Sequence, residues 1–199
     1  MLLKKLLVWI VLALLVTGCL PAQLYPGQAS AAITLKPAVT QTPDSGPDIA
    51  EFMQTELVDV NSGAHFKLSD YPGKVVLVEG MATWCPTCFN EARTLKSLHA
   101  HYGESSGFIS VSLGLDMRED AATLKSYAQQ FGFNWAYCVA PLPVAHYMGN
   151  KFSALFIDPT LVPMVIIDRQ RNLHPLKLGY KSEADLQAAL DPFIKAGTN

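Results

Sequence analysis

Two cysteines, Cys85 and Cys88, stand one helical turn apart, shortly after an apolar, strand-like run at residues 75–78. Thiols so placed can make and break a disulfide reversibly, and the start of a helix decides which of them attacks. The unpaired backbone N–H groups of a first turn carry partial positive charge and stabilise a thiolate. Cys85 therefore reads as the nucleophile and Cys88, facing back toward it, as the thiol that resolves a mixed disulfide. Pro86 fits the first helical position, where proline gives up only an N–H without an intrahelical partner and brings a φ that is already helical. The same spacing is also half of a zinc site. Further ligands would have to come from Cys19, Cys138 and the scattered His65, His99, His101, His146 and His174, with no second close cysteine pair. His99 and His101 are too close in sequence to share a helix face and read as solvated surface residues. The dithiol reading, which needs neither metal nor other cofactor, is the stronger one.

The elements that must hold these thiols alternate between strand and helix. Residues 75–78 are unbroken apolar sequence, as in a central strand covered on both faces. Phe89, Ala92, Leu95, Leu98 and Tyr102 recur every three or four residues and predict a helix after the thiols. Ile109, Val111, Leu113 and Leu115 have strand spacing. Leu124, Tyr127 and Phe131 mark a second helix, with Glu119 and Asp120 in its first turn and Gly132 as its stop. A strand over 135–139 and a short helix over 144–151 follow, then a hairpin of 165–167 and 173–178 around residues 169–172. Ser182 with Asp185 forms a capping box ahead of Leu186, Ala189, Leu190 and Phe193.

From residue 51 to the C-terminus the chain resembles the thioredoxin-like TlpA/ResA family of membrane-bound thiol–disulfide oxidoreductases. Three stretches carry the resemblance: FKLSDYPGKVVLV at 66–78, Ala82-Thr83-Trp84-Cys85-Pro86-Thr87-Cys88, and Val162-Pro163-Met164-Val165-Ile166-Ile167-Asp168. The implied fold is α/β: a thioredoxin-like sandwich, its central mixed sheet covered by helices on both faces, with an inserted strand–helix element between the two halves. The implied activity is disulfide exchange with protein thiols and disulfides outside the cytoplasm, in a family that serves cytochrome c and copper-oxidase assembly.

The resemblance also distributes roles around the cysteines. Trp84, Pro86 and Thr87 form a substrate-facing rim. Pro163 is implied to be a cis proline facing the cysteines, with the backbone of Val162 pairing with the incoming chain; a trans proline merely opening an edge strand is the alternative. Glu79 ends the central strand six positions before Cys85, where thioredoxins carry a buried aspartate. A poorly solvated carboxyl there should have a raised pKa and could accept the proton of Cys88, unless it reaches solvent past Gly80. Gly80 and Met81 replace the large aromatic usual in the family. The segment 151–161 is longer than the family generally carries, and its Phe152, Leu155, Phe156 and Leu161 either line a partner groove or fill core. Cys138, on a predicted strand, reads as a buried inert thiol.

The N-terminus supplies an address. Lys4 and Lys5 precede an apolar run at 6–16, too short for a hydrocarbon core of ~30 Å, which makes residues 1–18 a signal peptide. Small residues before Cys19 resemble a bacterial lipobox, which implies lipidation of Cys19 and anchoring of the protein in the cell envelope. An uncleaved signal anchor, or ordinary cleavage, is the alternative. Residues 19–50 are rich in Ala, Pro, Thr, Ser, Gln and Gly and predict a flexible tether ahead of one domain at 51–199. The formal net charge is −2, with basic residues dispersed, which argues against a nucleic-acid partner. Two other functions share the outline. A Sco-like copper-binding assembly factor needs Cys-x-x-x-Cys and a distant histidine, and the spacing here is one residue short. A peroxiredoxin-type peroxidase needs a Pro-x-x-x-Thr-x-x-Cys loop, which Cys85 lacks.

Overall fold

The computed structural model describes residues 49–195. The predicted signal peptide, Cys19 and all of the predicted tether except its last two residues lie outside the described residues. Helix α1 (Ile49–Gln54) opens the described chain two residues ahead of the expected domain start and buries Phe52 and Met53, with the Phe52 ring stacked 4.6 Å from that of Tyr147. A small antiparallel pair, β1 (Leu57–Val58) and β2 (His65–Phe66), follows.

The central sheet has five strands in the order β5-β4-β3-β6-β7: β3 (Val75–Met81), β4 (Phe108–Gly114), β5 (Ala136–Val139), β6 (Met164–Ile167) and β7 (Leu173–Pro175). Strands β3, β4 and β5 run parallel, whereas β6 lies antiparallel to β3, and β7 to β6. Every residue of β3 is buried, which is why residues 75–78 run apolar without alternation, and the strand continues through Gly80 and Met81, so that Glu79 lies within it rather than at its end. Helices α2 (Pro86–Tyr102) and α3 (Ala121–Phe131) are the crossovers from β3 to β4 and from β4 to β5. Successive right-handed crossovers in one direction along a sheet place both helices on one face. There they share a core with α5 (Glu183–Lys195), built around Val75, Leu77, Leu95, Leu124 and Leu190. The opposite core joins Val76, Val78 and Val165 to α1 and to α4 (Leu142–Lys151). The sandwich is therefore the expected one, and β5 with α4 is the inserted strand–helix element.

The ends of the elements follow their sequence signals. Glu119 and Asp120, expected in the first turn of α3, lie just ahead of it: Asp120 is its cap, accepting from the Thr123 N–H at 2.8 Å, and Gly132 stops the helix with φ 64°, as expected. In the capping box of α5, Ser182 N–H donates to Asp185 at 3.0 Å and Asp185 N–H to Ser182 Oγ at 3.2 Å. Strand β7 stops at Pro175 rather than at residue 178. Leu176 N–H closes the ladder on the Met164 carbonyl, and β6 offers no earlier residue to pair with. His99 is not a solvated surface residue: its Nε2 lies 3.0 Å from Ser110 Oγ and its ring stacks on Trp135, because Trp135 and Phe108 overhang this face of α2. His101 is exposed, as expected.

Candidate active site

The last turn of chain before α2 places both sulfurs. Cys85 is the N-cap residue, extended at φ −84°, ψ 112°, and Pro86 occupies the first helical position. The two cysteines form a disulfide with their Cα atoms 5.2 Å apart. Cys85 Sγ accepts the backbone N–H of Cys88 at 3.1 Å, the charge-stabilising contact that the sequence predicts for the nucleophile. Cys88 Sγ instead faces the carbonyl oxygen of Pro159 at 3.0 Å. After reduction a Cys88 thiol can donate to that oxygen, whereas a thiolate would be repelled by it. The two sulfurs thus differ in the sign of the group that faces them.

Cys88 is fully buried and Cys85 only 2% exposed, so Cys85 is less open than an accessible nucleophile would be. A short helical turn at Pro159–Leu161, within the long segment before Pro163, covers the sulfurs from one side. On the other side Cys85 borders a hollow formed with Trp84, Pro86, Phe89, Tyr127 and Phe131. The remainder of the long segment divides its apolar residues. Phe156 is buried and Phe152 packs on the second core, while Leu155 is exposed.

Trp84 is half-exposed and held in place from the loop after β4. Its indole N–H donates to Asp116 Oδ2 at 2.6 Å. Arg118 grips the same carboxylate at 2.7 Å and 2.9 Å and, with the indole, holds it well below the usual carboxylate range. Thr83 gives both its N–H, at 2.8 Å, and its hydroxyl to Glu119 Oε1. This loop, which the sequence did not single out, fixes one rim of the site. Thr87 points along α2 and lines a second hollow there.

The Val162–Pro163 peptide corrects an expectation: the bond is trans, and no cis peptide occurs among the described residues. The reversal into β6 is made by Val162 itself, at φ 43°, ψ 61°, a left-handed conformation that costs a β-branched residue about 1–3 kcal/mol. Val162 is held there from both ends. Its N–H donates to the Pro159 carbonyl at 3.0 Å, and its carbonyl accepts from Lys181 Nζ at 2.9 Å. Both backbone groups expected to pair with a substrate chain are therefore engaged within the protein. Pro163 meets the central strand through its carbonyl, which accepts from Gly80 N–H at 2.8 Å. A Cβ on Gly80 would collide with the Leu115 side chain and lie 2.8 Å from Pro163 Cγ, so the close approach of these two residues favours glycine here.

Beneath the disulfide lies a buried ionisable group. Glu79 is fully buried, on the face of β3 that carries Leu77 and Met81 and packs on the cysteines. Ser112 Oγ donates to its Oε2 at 2.8 Å and in turn accepts from the Trp135 indole at 2.9 Å, while Oε1 has no hydrogen-bond partner among the described residues. Burial pushes its pKa up to about 8, against the pull of the Ser112 hydrogen bond. Glu91, one turn after Cys88, is also fully buried: its Oε2 accepts from Lys181 N–H at 2.9 Å and its Oε1 has no hydrogen-bond partner among the described residues. Burial raises its pKa to about 7, against the backbone hydrogen bond from Lys181 and the Lys181 charge. Lys181 is only 7% exposed, and its Nζ also donates to the Gly179 carbonyl at 2.6 Å. Two carboxyls and one amine thus lie close enough in the core to act on one another's charge.

Sequence reasoning found Glu79 and missed the other two. Glu91 was detectable, since it continues the core-facing spacing Cys88, Ala92, Leu95 and Leu98, where a carboxylate is out of place. Lys181 sits in a connection without periodicity, and only tertiary closure buries it. Cys138 is buried among apolar side chains with its thiol pushed up to about 12, the inert state expected of it.

Fold and site together define a thioredoxin-like thiol–disulfide oxidoreductase. The chain belongs to the Redoxin family, whose sequence model matches residues 41–190. It is 24% identical over 187 residues to the thiol-disulfide oxidoreductase ResA of Bacillus thuringiensis (strain Al Hakam), a match covering 94% of this chain and 95% of that protein. Among solved structures it is similar to a thiol:disulfide interchange protein of the thioredoxin family from Chlorobium tepidum TLS. The TM-score there is 0.59 at 20% identity, over 70% of this chain and 92% of the other. A secreted Mycobacterium tuberculosis disulfide oxidoreductase homologous to E. coli DsbE matches with TM-score 0.57 at 19% identity, over 71% and 98% of the two chains. Among the described residues no helix is long and apolar enough to cross a membrane.

Proposed function

We propose that this protein exchanges its Cys85–Cys88 disulfide with protein partners outside the cytoplasm, tethered to a membrane through lipidated Cys19, in the assembly of cytochrome c or copper oxidases. The observation that carries the exchange is the asymmetry of the pair: an N–H on the Cys85 sulfur and a carbonyl on the Cys88 sulfur. In the reducing direction the Cys85 thiolate attacks a partner disulfide, forming a mixed disulfide and expelling one partner thiolate. Cys88 then loses its proton to the Glu79 or Glu91 carboxylate and attacks Cys85 Sγ. The Cys85–Cys88 disulfide forms, and the second partner sulfur leaves as a thiolate. The signal-peptide pattern at residues 1–18 and the Val16-Thr17-Gly18-Cys19 sequence support the address, as does the name of the secreted relative.

Cys88→Ser should accumulate mixed disulfides with partners in cells, and Cys85→Ser should accumulate none. Equal trapping by both variants would remove the assignment. The wild-type protein should partition with membranes and carry lipid label, while Cys19→Ala carries none; an unprocessed N-terminus in the mass spectrum would show a signal anchor instead.

A further inference from the structure

The hollow beside Cys85 continues along α2. Its walls at Phe89 and Phe131, whose rings meet edge to face at 4.7 Å, are shared with a longer groove that reaches Arg93, Lys96 and Tyr180. Trp84 at the near end and Tyr180 farther along are each about half exposed, at 52% and 53%. Such a floor suits an extended chain carrying apolar side chains, and two of its three charged side chains are basic. Arg93 is exposed and makes no hydrogen bond or ion pair among the described residues. Lys96 is tethered to the wall, donating to the Phe131 carbonyl at 3.1 Å with its Nζ 5.9 Å from the Phe133 ring centre. The one carboxylate on the groove, Glu183, already accepts from Gln187 at 3.0 Å. The opposite approach to the sulfurs is filled by the Pro159–Leu161 turn.

We propose that this groove binds the partner segment that carries the exchanging cysteine, and that Arg93 selects an Asp or Glu about four residues from that cysteine. The inference rests on the exchange activity proposed above. The spacing follows from geometry. Arg93 lies eight positions after Cys85 along a helix rising ~1.5 Å per residue, a separation of about 12 Å. An extended chain advances ~3.3 Å per residue and covers that distance in about four.

The test uses the full-length Cys88→Ser protein, reduced, so that Cys85 attacks and the product is stable. The probes are synthetic peptides, each with one cysteine activated as a mixed disulfide with thionitrobenzoate. One Glu, or Gln as its neutral counterpart, is placed two, four, six or eight positions to either side. The readout is the ratio of attack rates on the Glu and Gln peptides, taken within each protein so that changes in intrinsic reactivity cancel. At low salt the ratio should peak at about two- to fivefold near four residues, the range of an exposed ion pair. It should fall toward one at high salt, stay elevated in Arg93→Lys and drop below one in Arg93→Glu. A ratio independent of Glu position, or unchanged in Arg93→Glu, overturns the proposal. Glutathione disulfide separates the two failures: if it is attacked while the peptides show no preference, only the groove assignment falls, and if neither it nor any peptide is attacked, the exchange activity falls with it.

Discussion

The carbonyl oxygen of Pro159 lies 3.0 Å from the sulfur of Cys88 and 3.8 Å from that of Cys85, so a single peptide group distinguishes two cysteines three residues apart. It comes from the long segment before Pro163 and so joins that segment to the chemistry. Once the disulfide is reduced, this oxygen favours the protonated form of Cys88 while the first-turn N–H favours the thiolate of Cys85.

Two separate ionisations should therefore be seen. Cys85 should titrate below the ~8.5 of a free cysteine and Cys88 above it. Thiolate absorbance and alkylation rate against pH, in Cys88→Ser and Cys85→Ser respectively, measure each one. Cys88 ionising first would mean that Pro159 does not govern the reduced site.

Glu79 allows two independent measurements. Its carboxyl is raised from 4.5 to about 8, so between those values the folded state holds more protons than the unfolded one. The stability that this proton provides is complete below about pH 4.5 and is lost as pH rises toward 8. Glu79→Gln, which keeps an oxygen for Ser112, should match wild type near pH 4.5 and be the more stable protein at pH 8. The difference should be on the order of a few kcal/mol by denaturant unfolding. The same variant should resolve mixed disulfides more slowly at neutral pH, with the deficit shrinking as Cys88 ionises unaided. Resolution equal to wild type from pH 6 to 9 would leave proton transfer to Glu91 or water.

What could be read from the sequence was local. Pro86 at the first helical position, the box at Ser182 and Asp185 and the stop at Gly132 each depend on a few neighbouring residues, and each was found as read. The burial of Glu79 was implied by its match to the buried aspartate of thioredoxins, and the sequence left open an exposed strand end, which the continuation of β3 to Met81 removes. What escaped depends on contacts across the chain. Lys181 reaches Val162 over 19 positions and Pro159 reaches Cys88 over 71, and neither residue type hints at its partner. The trans peptide before Pro163 escaped for a related reason. The resemblance carried an isomer over from relatives, whereas here the reversal is taken up by Val162, held between Pro159 and Lys181.

Lys181 is the residue through which that arrangement is best tested. Its Nζ holds the Val162 and Gly179 carbonyls, and its charge opposes protonation of both Glu91 and Glu79. Burial in turn lowers its own pKa, against the pull of the two carboxylates. Lys181→Met keeps most of the aliphatic stem and the backbone N–H to Glu91 but leaves the buried Val162 carbonyl and the half-buried Gly179 carbonyl without their donor. A loss of about 1–3 kcal/mol in unfolding free energy is expected. A purely structural lysine would do no more than that. Loss of the positive charge should also raise both carboxyl pKa values, so that the pH dependence of mixed-disulfide resolution moves to higher pH. Lys181→Arg, which restores the charge, should bring the profile back toward wild type even where its larger head costs stability. Destabilisation with an unmoved pH profile would confine Lys181 to bracing the Val162 turn.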